Sequence, residues 1–221
     1  MAAPGTATGF ITAHTAIAAP PLVPEIRLHL ASEVTALWQA TEATLAATGL
    51  PPPYWAFAWA GGQALARHLL DHPALVAGRR VLDFGAGSGL VAIAAARAGA
   101  AEAVAAEIDP FAAAAIALNA ALNGVAVAVE TDDLIDRWPP PWQIVLAGDL
   151  CYERPLAERL MRWLRRIAAS GALVLLGDPG RAYLPAGGLE ALARYAVPVP
   201  LELEDRVLRE GVVWRVTSDR G

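Results

Sequence analysis

Hydrophobic and polar positions follow two alternating patterns from Val81 onward. Short apolar runs typical of buried strands are separated by longer stretches rich in alanine and leucine, which favour helices. The predicted strands are Val81–Phe84, Ala103–Glu107, Val125–Glu130, Ile144–Ala147 and Ala172–Leu176, and the predicted helices are Leu90–Ala98, Pro110–Asn123, Pro155–Ala169 and Gly188–Tyr195. Regular alternation of this kind predicts an α/β fold, in which a parallel sheet carries helices on both faces.

The C-terminal pattern differs from the rest. Leu201–Leu208 and Val212–Val216 resemble strands but have no helix between them, so they are expected to form an antiparallel edge hairpin that turns at Glu210-Gly211. The complete pattern therefore predicts a Rossmann-like, mostly parallel sheet of seven strands. Ligands of such sheets bind at the carboxyl ends of the strands, which places a site at the loops after residues 84, 107, 131 and 148.

The N-terminal region has a different organisation. Met1–Gly9 is small and polar and is expected to be mobile. Ile26–Thr48 shows helical spacing, with apolar side chains near one face, and the proline run 51–53 ends it. We therefore predict an N-terminal helical extension over residues 1–52 and the α/β domain over residues 53–221. A short helix, Ala64–Leu70, is predicted at the start of that domain.

A glycine-rich turn follows the first predicted strand, with glycine at positions 85, 87 and 89. A strand that turns into a helix leaves unpaired N–H groups, and alternate glycines let a ligand approach the backbone. A dinucleotide site favours G-x-G-x-x-G, but here the third glycine comes one residue early and Leu90 stands in its place. Asp83 adds a carboxylate that suits an amine better than a pyrophosphate. This spacing, and the lack of a second domain, disfavour a nicotinamide-dependent dehydrogenase.

Acidic residues follow the next two strands. Glu107 lies about 20 residues past the turn, where an acid accepts hydrogen bonds from both ribose hydroxyls. Asp109 is the alternative, but an Asp-Pro pair more often caps the following helix. After the third strand, Asp132 and Asp133 each offer a carboxylate for an adenine amino group, and either residue could instead cap the loop.

The fourth strand leads into Gly148-Asp149-Leu150-Cys151-Tyr152. A carboxylate at Asp149 would attract an ammonium ion, and the Tyr152 ring would flank its charge. The structural alternative is that Asp149 caps a turn while Tyr152 packs. Cys151 is expected to be a small buried filler. The segment Gly177–Arg181 signals a turn and is a plausible wall of the same site.

The amino-acid composition argues against several classes of function. The 221-residue chain carries a net charge of −5 and every basic residue is arginine, which argues against binding to a phosphate backbone. No apolar run reaches the roughly 18 residues of a membrane span. The N-terminus lacks the pattern of a signal peptide, and a single cysteine fits a reducing compartment, so a cytoplasmic protein is expected. The four histidines lack ligand spacing, and no metal is expected.

Together these motifs resemble one family of seven-strand protein methyltransferases. Asp83-Phe84-Gly85-Ala86-Gly87-Ser88-Gly89 resembles the first motif of class I S-adenosylmethionine methyltransferases in general. The segment from Trp59 to Arg67, which reads WAGGQALAR, together with Gly177–Arg181, which reads GDPGR, is similar to the lysine methyltransferases of the electron transfer flavoprotein β-subunit, in their bacterial form. The resemblance covers nearly the whole chain.

The resemblance implies an S-adenosyl-L-methionine cofactor and lysine methylation of the flavoprotein by a monomeric enzyme. Asp149 and Tyr152 would be its catalytic pair. The implied cofactor contacts are Trp59, Asp83, Gly85, Ala86, Gly87, Gly89, Glu107, Ile108, Asp133, Leu134 and Gly148. Asp133 is favoured over Asp132 by its register with the methyltransferase pattern, and Glu107 stands where aspartate is commoner.

Two other functions are also consistent with the sequence. The chain could be a methyltransferase for ribosomal protein L11 or for a small amine such as a nicotinamide-like ring nitrogen, since these enzymes share the sheet and the glycine turn. It could also be a non-catalytic adapter that binds the flavoprotein, although the acidic set Asp83, Glu107 and Asp149 argues against that.

Overall fold

The computed structural model describes residues 4–31, 52–137, 142–204 and 206–218. The helices are α1 (Pro4–His14), α2 (Ala60–Asp71), α3 (Leu90–Arg97), α4 (Pro110–Leu122), α5 (Arg154–Ala169) and the single turn α6 (Leu201–Glu204). The strands are β1 (Ala16–Ala18), β2 (Leu28–Leu30), β3 (Arg80–Phe84), β4 (Glu102–Ala106), β5 (Ala128–Glu130), β6 (Ile144–Gly148), β7 (Leu173–Asp178), β8 (Leu189–Pro198) and β9 (Leu208–Val216). Two 3-10 turns span Tyr54–Ala56 and Pro73–Leu75.

Seven strands form the main sheet, in the order β5-β4-β3-β6-β7-β9-β8. The first five of these are parallel, while β9 runs antiparallel to β7 and β8 runs antiparallel to β9. The strand order reverses between β3 and β6, and this is where α/β sheets open a crevice for ligands. The predicted fold class, a mostly parallel seven-stranded sheet with an antiparallel C-terminal hairpin, is confirmed.

Helices cover both faces of the sheet because successive strand residues point to opposite sides. In β3, Val81 joins a core with Leu65 of α2 and Ile93 of α3, whereas its neighbour Leu82 joins a second core beneath Trp163 of α5. All five side chains are at most 2% exposed. Continuous apolar strands of this kind are expected in a parallel sheet that is buried on both faces.

The C-terminal hairpin is present, but one of its two predicted strands was wrong. Gly188–Tyr195 was predicted to be a helix, but Leu189–Pro198 forms β8, and its partner is β9 rather than a strand over Leu201–Leu208. Leucine, alanine and glutamate favour helices intrinsically, and pairing with β9 overrides that preference. The predicted turn at Glu210-Gly211 lies inside β9.

Packing against α2 explains why a glycine occupies position 211 within β9. A Cβ atom there would lie 2.7 Å from the Cβ of Ala64 and 3.0 Å from the carbonyl oxygen of Ala60, both on α2. Glycine therefore marks a close approach between a helix and a strand, which in sequence is hard to distinguish from a turn.

The N-terminal prediction was also wrong where it can be compared. Met1–Gly9 was expected to be mobile, yet helix α1 runs from Pro4 to His14. Leu28–Leu30, assigned to the predicted helix Ile26–Thr48, is instead a strand that pairs with β1. Most of the rest of that helix, with its apolar positions Val34, Leu37 and Trp38, lies outside the described residues.

The described N-terminal segments pack on the α/β domain. The ring of Phe10 meets that of Phe111 on α4 edge to face, with centroids 5.4 Å apart. The backbone N–H of His29 donates to Oδ1 of Asn119 on the same helix at 2.8 Å. The division of the chain at residues 52 and 53 remains a prediction. Among the described helices, none combines the length and apolar character that crossing a membrane requires.

Helix α2 begins in direct contact with the sheet backbone. A Cβ atom on Gly61 would collide with the carbonyl oxygen of Gly177 in β7 and would lie 2.7 Å from Oδ2 of Asp149. A Cβ atom on Gly148 in β6 would lie 3.2 Å from the Cα of Gly62. These glycines are required because helix and strand backbones touch with no space for side chains between them.

We expect Gly61→Ala to lower the free energy of unfolding by about 1–3 kcal/mol, because steric overlap outweighs the gain in helix propensity. Gly187→Ala is the matched control, since a Cβ atom at Gly187 meets no atom within 4 Å. Urea denaturation of both variants measures the difference. Equal stabilities would show that the sheet yields to the extra methyl group.

The Asp83 carboxylate lies inside the fold, under the glycine turn. Its Oδ2 accepts the backbone N–H of Ala92 at 2.9 Å, which satisfies one of the free donors in the first turn of α3. The residue is 2% exposed, and burial raises the pKa of its carboxyl to about 8, while the bond from Ala92 opposes this increase.

This pKa predicts how stability changes with pH. The unfolded chain ionises Asp83 near pH 3.8 and the folded chain near pH 8, so the contribution of this group is fully present below the first value and is lost as pH rises through the second. Between these pH values the unfolding free energy of the wild type falls because Asp83 ionises. We expect this fall to be smaller in Asp83→Asn, by about 1 kcal/mol or more. Urea denaturation across this pH range tests it. Parallel curves for the variant and the wild type would contradict the buried, protonated carboxyl.

Candidate active site

A cavity of about 530 Å³ opens at the carboxyl ends of β3, β4 and β6. Its position is the one predicted for a ligand of such a sheet. The residues that line it are Pro52, Tyr54, Trp55, Trp59, Phe84, Gly85, Gly87, Ala106, Glu107, Ile108, Asp109, Ala112, Asp132, Asp133, Ile135, Gly148, Asp149, Leu150, Tyr152, Leu156, Arg159 and Arg181. The volume is in the range of small-molecule and cofactor sites.

The glycine turn forms the floor of this cavity. Gly85 and Gly87 have φ angles of +65° and +53°, which glycine adopts readily. A Cβ atom on Gly85 would lie 2.8 Å from the Leu150 side chain, whereas one on Gly87 would meet nothing closer than the Cα of Trp55 at 3.9 Å. A side chain at Gly87 would therefore occupy the cavity itself.

Glu107 lies across the mouth of the turn. Its Oε2 accepts the Gly87 N–H at 3.0 Å, and its Oε1 accepts the Asp109 N–H at 3.2 Å. Burial raises the pKa of the Glu107 carboxyl, and these backbone donors limit the increase. Asp109 accepts the N–H of Phe111 at 2.8 Å and is the N-cap of α4, as predicted. Each Glu107 oxygen retains a lone pair for a further donor, so its ribose role remains open.

The loop after β5 places both candidate aspartates on the cavity wall. Asp133 accepts the Ile135 N–H at 2.9 Å through Oδ1 and pairs with Arg159 at 2.8 Å through Oδ2. Asp132 pairs with Arg137 at 2.7 Å. Asp133 therefore does cap its loop, which was the alternative considered from the sequence, and its adenine role remains a prediction.

Asp149 follows directly after β6, with its carboxylate beside α2. Its φ angle of +59° is unusual for a residue with a side chain. Oδ2 accepts the Gly62 N–H at 2.8 Å, and Oδ1 accepts Nη2 of Arg181 at 2.8 Å. Burial raises the pKa of the Asp149 carboxyl to about 6, and the Arg181 guanidinium opposes this increase. Asp149 is therefore ionised at neutral pH although it is only 7% exposed.

Aromatic rings line the same cavity as the Asp149 carboxylate. Tyr152 is 39% exposed, and its ring centroid lies 5.5 Å from that of Tyr54. Tyr54 is also 6.0 Å from the ring of Trp59, whose Nε1 donates to the Tyr54 carbonyl at 2.9 Å. Burial raises the pKa of the Tyr152 phenol to about 12, so it keeps its proton at neutral pH. Neutral rings beside a carboxylate favour a cation at this position.

The cavity includes nine of the predicted site residues and omits four. The nine that line it are Trp59, Gly85, Gly87, Glu107, Ile108, Asp133, Gly148, Asp149 and Tyr152. Asp83 lies beneath the turn, and Ala86 packs against the small apolar cluster under it. Gly89 faces Ile116 of α4, and Leu134 is in the core at 3% exposed. The cofactor roles of these four residues remain predictions.

Sequence reasoning missed two participants, which are Tyr54 on the cavity wall and the backbone N–H of Gly62 that binds Asp149. It did expect the segment Gly177–Arg181 at the wall of the site, and Arg181 lines the cavity. Nothing in the one-dimensional pattern, however, paired Gly62 or Arg181 with Asp149. Cys151 is fully buried, as expected, and burial raises the pKa of its thiol to about 12. Among the described residues, no cluster of histidine, cysteine and acidic side chains is arranged to hold a metal ion.

Known methyltransferases share this fold. A family model described as ribosomal protein L11 methyltransferase (PrmA) matches residues 65–153. The structure of ribosomal protein L11 methylase from Lactobacillus delbrueckii subsp. bulgaricus superposes with a TM-score of 0.51 at 21% identity, over 77% of this chain and 83% of that one. Magnesium protoporphyrin IX methyltransferase from Synechocystis PCC 6803 with bound SAM gives a TM-score of 0.52 at 18% identity, over 72% of this chain and 80% of that one.

Sequence similarity over the whole chain is more specific. The electron transfer flavoprotein beta subunit lysine methyltransferase of Xenopus laevis is 42% identical over 211 residues, which cover 93% of this chain and 85% of that protein. The similarity therefore extends well beyond residues 65–153. The chain belongs to the electron transfer flavoprotein beta subunit lysine methyltransferase family.

Proposed function

We propose that this protein transfers methyl groups from S-adenosyl-L-methionine to lysine side chains of the electron transfer flavoprotein β-subunit. The observation that carries the proposal is the position of Asp149, an ionised and nearly buried carboxylate that shares one cavity with the glycine turn. The relative from Xenopus laevis is named for this substrate. By family and fold the chain is an S-adenosylmethionine-dependent methyltransferase, as the sequence predicted.

The cavity suits the cofactor. Gly87 leaves open the space where a side chain would stand, and the Glu107 carboxylate offers acceptors for ribose hydroxyls. Asp133 and the Leu134 backbone N–H would contact the adenine. When bound, the cofactor supplies an activated methyl group on a sulfonium ion.

The chain's own residues act on the acceptor lysine. A lysine arrives as an ammonium ion, and the Asp149 carboxylate attracts and orients it while the Tyr152 ring flanks the charge. A displacement needs a neutral amine, so the ammonium ion must first lose a proton, which Oδ2 of Asp149 can accept from it. The site then contributes mainly by positioning the neutral nitrogen in line and excluding water. The apolar rings of Tyr54 and Trp59 support that exclusion.

The acceptor side favours a lysine over a planar ring nitrogen. A planar neutral nitrogen gains nothing from the carboxylate of Asp149, whereas an ammonium ion does. The match to the ribosomal protein L11 methyltransferase model covers only residues 65–153, which include both the glycine turn and Asp149. The residues of the acceptor side that lie outside this match are Tyr54, Trp59 and the loop from Gly177 to Arg181.

We also propose that the enzyme works as a monomer in a reducing compartment such as the cytoplasm. The one cysteine of the chain is a buried free thiol, which is in keeping with such surroundings. The net charge of −5 supports a protein acceptor over a nucleic acid.

Mass spectrometry of the flavoprotein β-subunit after incubation with the protein and S-adenosylmethionine tests the proposed function. We expect mass increments of one or more methyl groups on lysines. Methyl label that appears only in small molecules or in ribosomal protein L11 would contradict it. If calorimetry detected no cofactor binding either, the alternative of a non-catalytic adapter that binds the flavoprotein would replace the proposed function.

Asp149→Asn is expected to reduce this methylation by about a hundredfold or more, since the charge that orients the ammonium is lost. Calorimetry should show cofactor affinity within about threefold of the wild type. Thermal unfolding checks that the variant remains folded. A collapse of cofactor binding in a folded variant would place Asp149 on the cofactor side of the cavity.

Gly87→Val is expected to abolish measurable cofactor binding, because its side chain would fill the space above the turn. Gly78→Val is the matched control, since Gly78 also has a positive φ of +70° but lies where a Cβ atom meets nothing within 4 Å. Both variants carry similar backbone strain, so only the loss of ligand space distinguishes them. Calorimetry with S-adenosylmethionine provides the comparison, and retained affinity in Gly87→Val would show that the ligand lies elsewhere.

A further inference from the structure

Arg181 is held on three sides at the edge of the cavity. Its Nη2 donates to Oδ1 of Asp149 at 2.8 Å and to Oε1 of Glu204 at 2.7 Å, and its Nη1 donates to Oε2 of Glu204 at 3.2 Å. The guanidinium also stacks on the Trp59 ring, 5.3 Å from its centroid. Two carboxylates and an aromatic ring thus hold the planar guanidinium in one orientation, because rotation about any side-chain bond would break at least one of these contacts.

The backbone of Arg181 is fixed as well. Oδ1 of Asp178 accepts the N–H groups of both Gly180 and Arg181 at 2.7 Å, which closes the turn after β7. Glu204, which is 3% exposed, is fixed in turn by Nε of Arg209 at 3.1 Å. The C-terminal hairpin and its short helix therefore contribute to the position of Arg181.

Asp149 depends on this arrangement more than an exposed aspartate would. Its left-handed backbone is strained, and a carboxylate this deeply buried is costly to ionise without partners. Oδ1 receives both Nε and Nη2 of Arg181, at 3.2 and 2.8 Å, whereas Oδ2 receives a single donor from the described residues, the Gly62 N–H. Oδ2 therefore retains acceptor capacity toward a substrate nitrogen, while Oδ1 is committed to Arg181.

We propose that Arg181 is a positioning residue for methyl transfer, which holds Asp149 ionised and turned so that Oδ2 faces the acceptor lysine. The inference rests on the proposed lysine methylation, because it assigns a role to the partner of the residue that receives the lysine. Arg181 acts through Asp149 and contacts neither methyl donor nor nitrogen itself.

The proposal predicts a specific pH dependence. The charged and titratable groups that face Asp149 are Arg181 and Asp178, with Glu204 and Arg209 behind them and Tyr152 and Cys151 on its own loop. Arg181 lowers the pKa of Asp149, while Asp178 raises it. Loss of Arg181 therefore moves the protonation of Asp149 to higher pH and leaves less of the carboxylate at neutral pH.

Arg181→Gln is the principal variant. Removing an adjacent guanidinium should raise the Asp149 pKa by about two units or more. We expect kcat/KM for flavoprotein methylation at pH 7 to fall about tenfold or more, and the deficit to shrink as pH rises. A residue with a merely structural role would produce a deficit that is constant with pH. Arg181→Lys, which keeps the charge but not the fork, should give an intermediate shift and is available if Arg181→Gln does not fold.

Arg194→Gln is the matched control. It removes an arginine from the same hairpin, where Arg194 pairs with Glu210 at 2.6 Å on the surface, with more than half of each side chain exposed. Loss of an exposed pair changes little. Its pH profile should follow that of the wild type.

A second test asks whether Arg181 acts through Asp149. In an Asp149→Asn background, adding Arg181→Gln should change kcat/KM by no more than about twofold, because the group on which it acts is already lost. A further large loss in the double variant would overturn the proposal.

The Asp149 pKa can also be measured without turnover. Carbon-13 carboxyl NMR of aspartate-labelled protein, with the Asp149 signal assigned by its loss in Asp149→Asn, should titrate at higher pH in Arg181→Gln than in the wild type. An unchanged titration would overturn the proposal. If the wild type does not methylate the flavoprotein, the proposed function is wrong, and this titration still decides whether Arg181 controls Asp149.

Discussion

The first turn of α2 lies directly on the backbone of β6 and β7, and this contact determines the geometry of the site. Glycines at positions 61, 148 and 177 let the backbone of this first turn touch the sheet backbone with no side chain between them. The helix thereby brings the Gly62 N–H within 2.8 Å of Asp149, whose carboxylate takes the place of a side-chain cap, since Trp59 at the N-cap provides none. The positive end of the helix dipole favours the ionised form of that carboxylate.

Arg181 approaches the same carboxylate from the opposite side. Burial raises the pKa of the Asp149 carboxyl, and the pairing with Arg181 opposes that increase. Two donors on different elements therefore hold this one carboxylate in place. Because Glu204 and Arg209 fix Arg181, the C-terminal hairpin contributes to the active site although it lies at the far edge of the sheet.

The two halves of the cavity differ in how far they could be predicted. The cofactor half is local: strand β3, the glycine turn and Glu107 follow one another along the chain, and their spacing alone indicates a nucleoside-type ligand. The acceptor half joins α2, β6 and the loop after β7, which are distant in sequence. Asp149 could be identified because it ends a strand, but its partners Gly62 and Arg181 could not, since no local pattern relates them.

The parallel core, the position of the cavity and the acidic residues that face it could be predicted from the chain alone, because strand periodicity and glycine spacing act locally. Strand β8 was misassigned as a helix because its leucines and alanines favour one, and Gly211 was taken for a turn. Both points depend on tertiary contacts, since pairing with β9 supplies the hydrogen bonds of β8 and the approach of α2 requires glycine at position 211. The place of Asp83 in the core rather than on the cavity wall also became evident only in the folded protein, where the first turn of α3 provides the N–H that its carboxylate accepts.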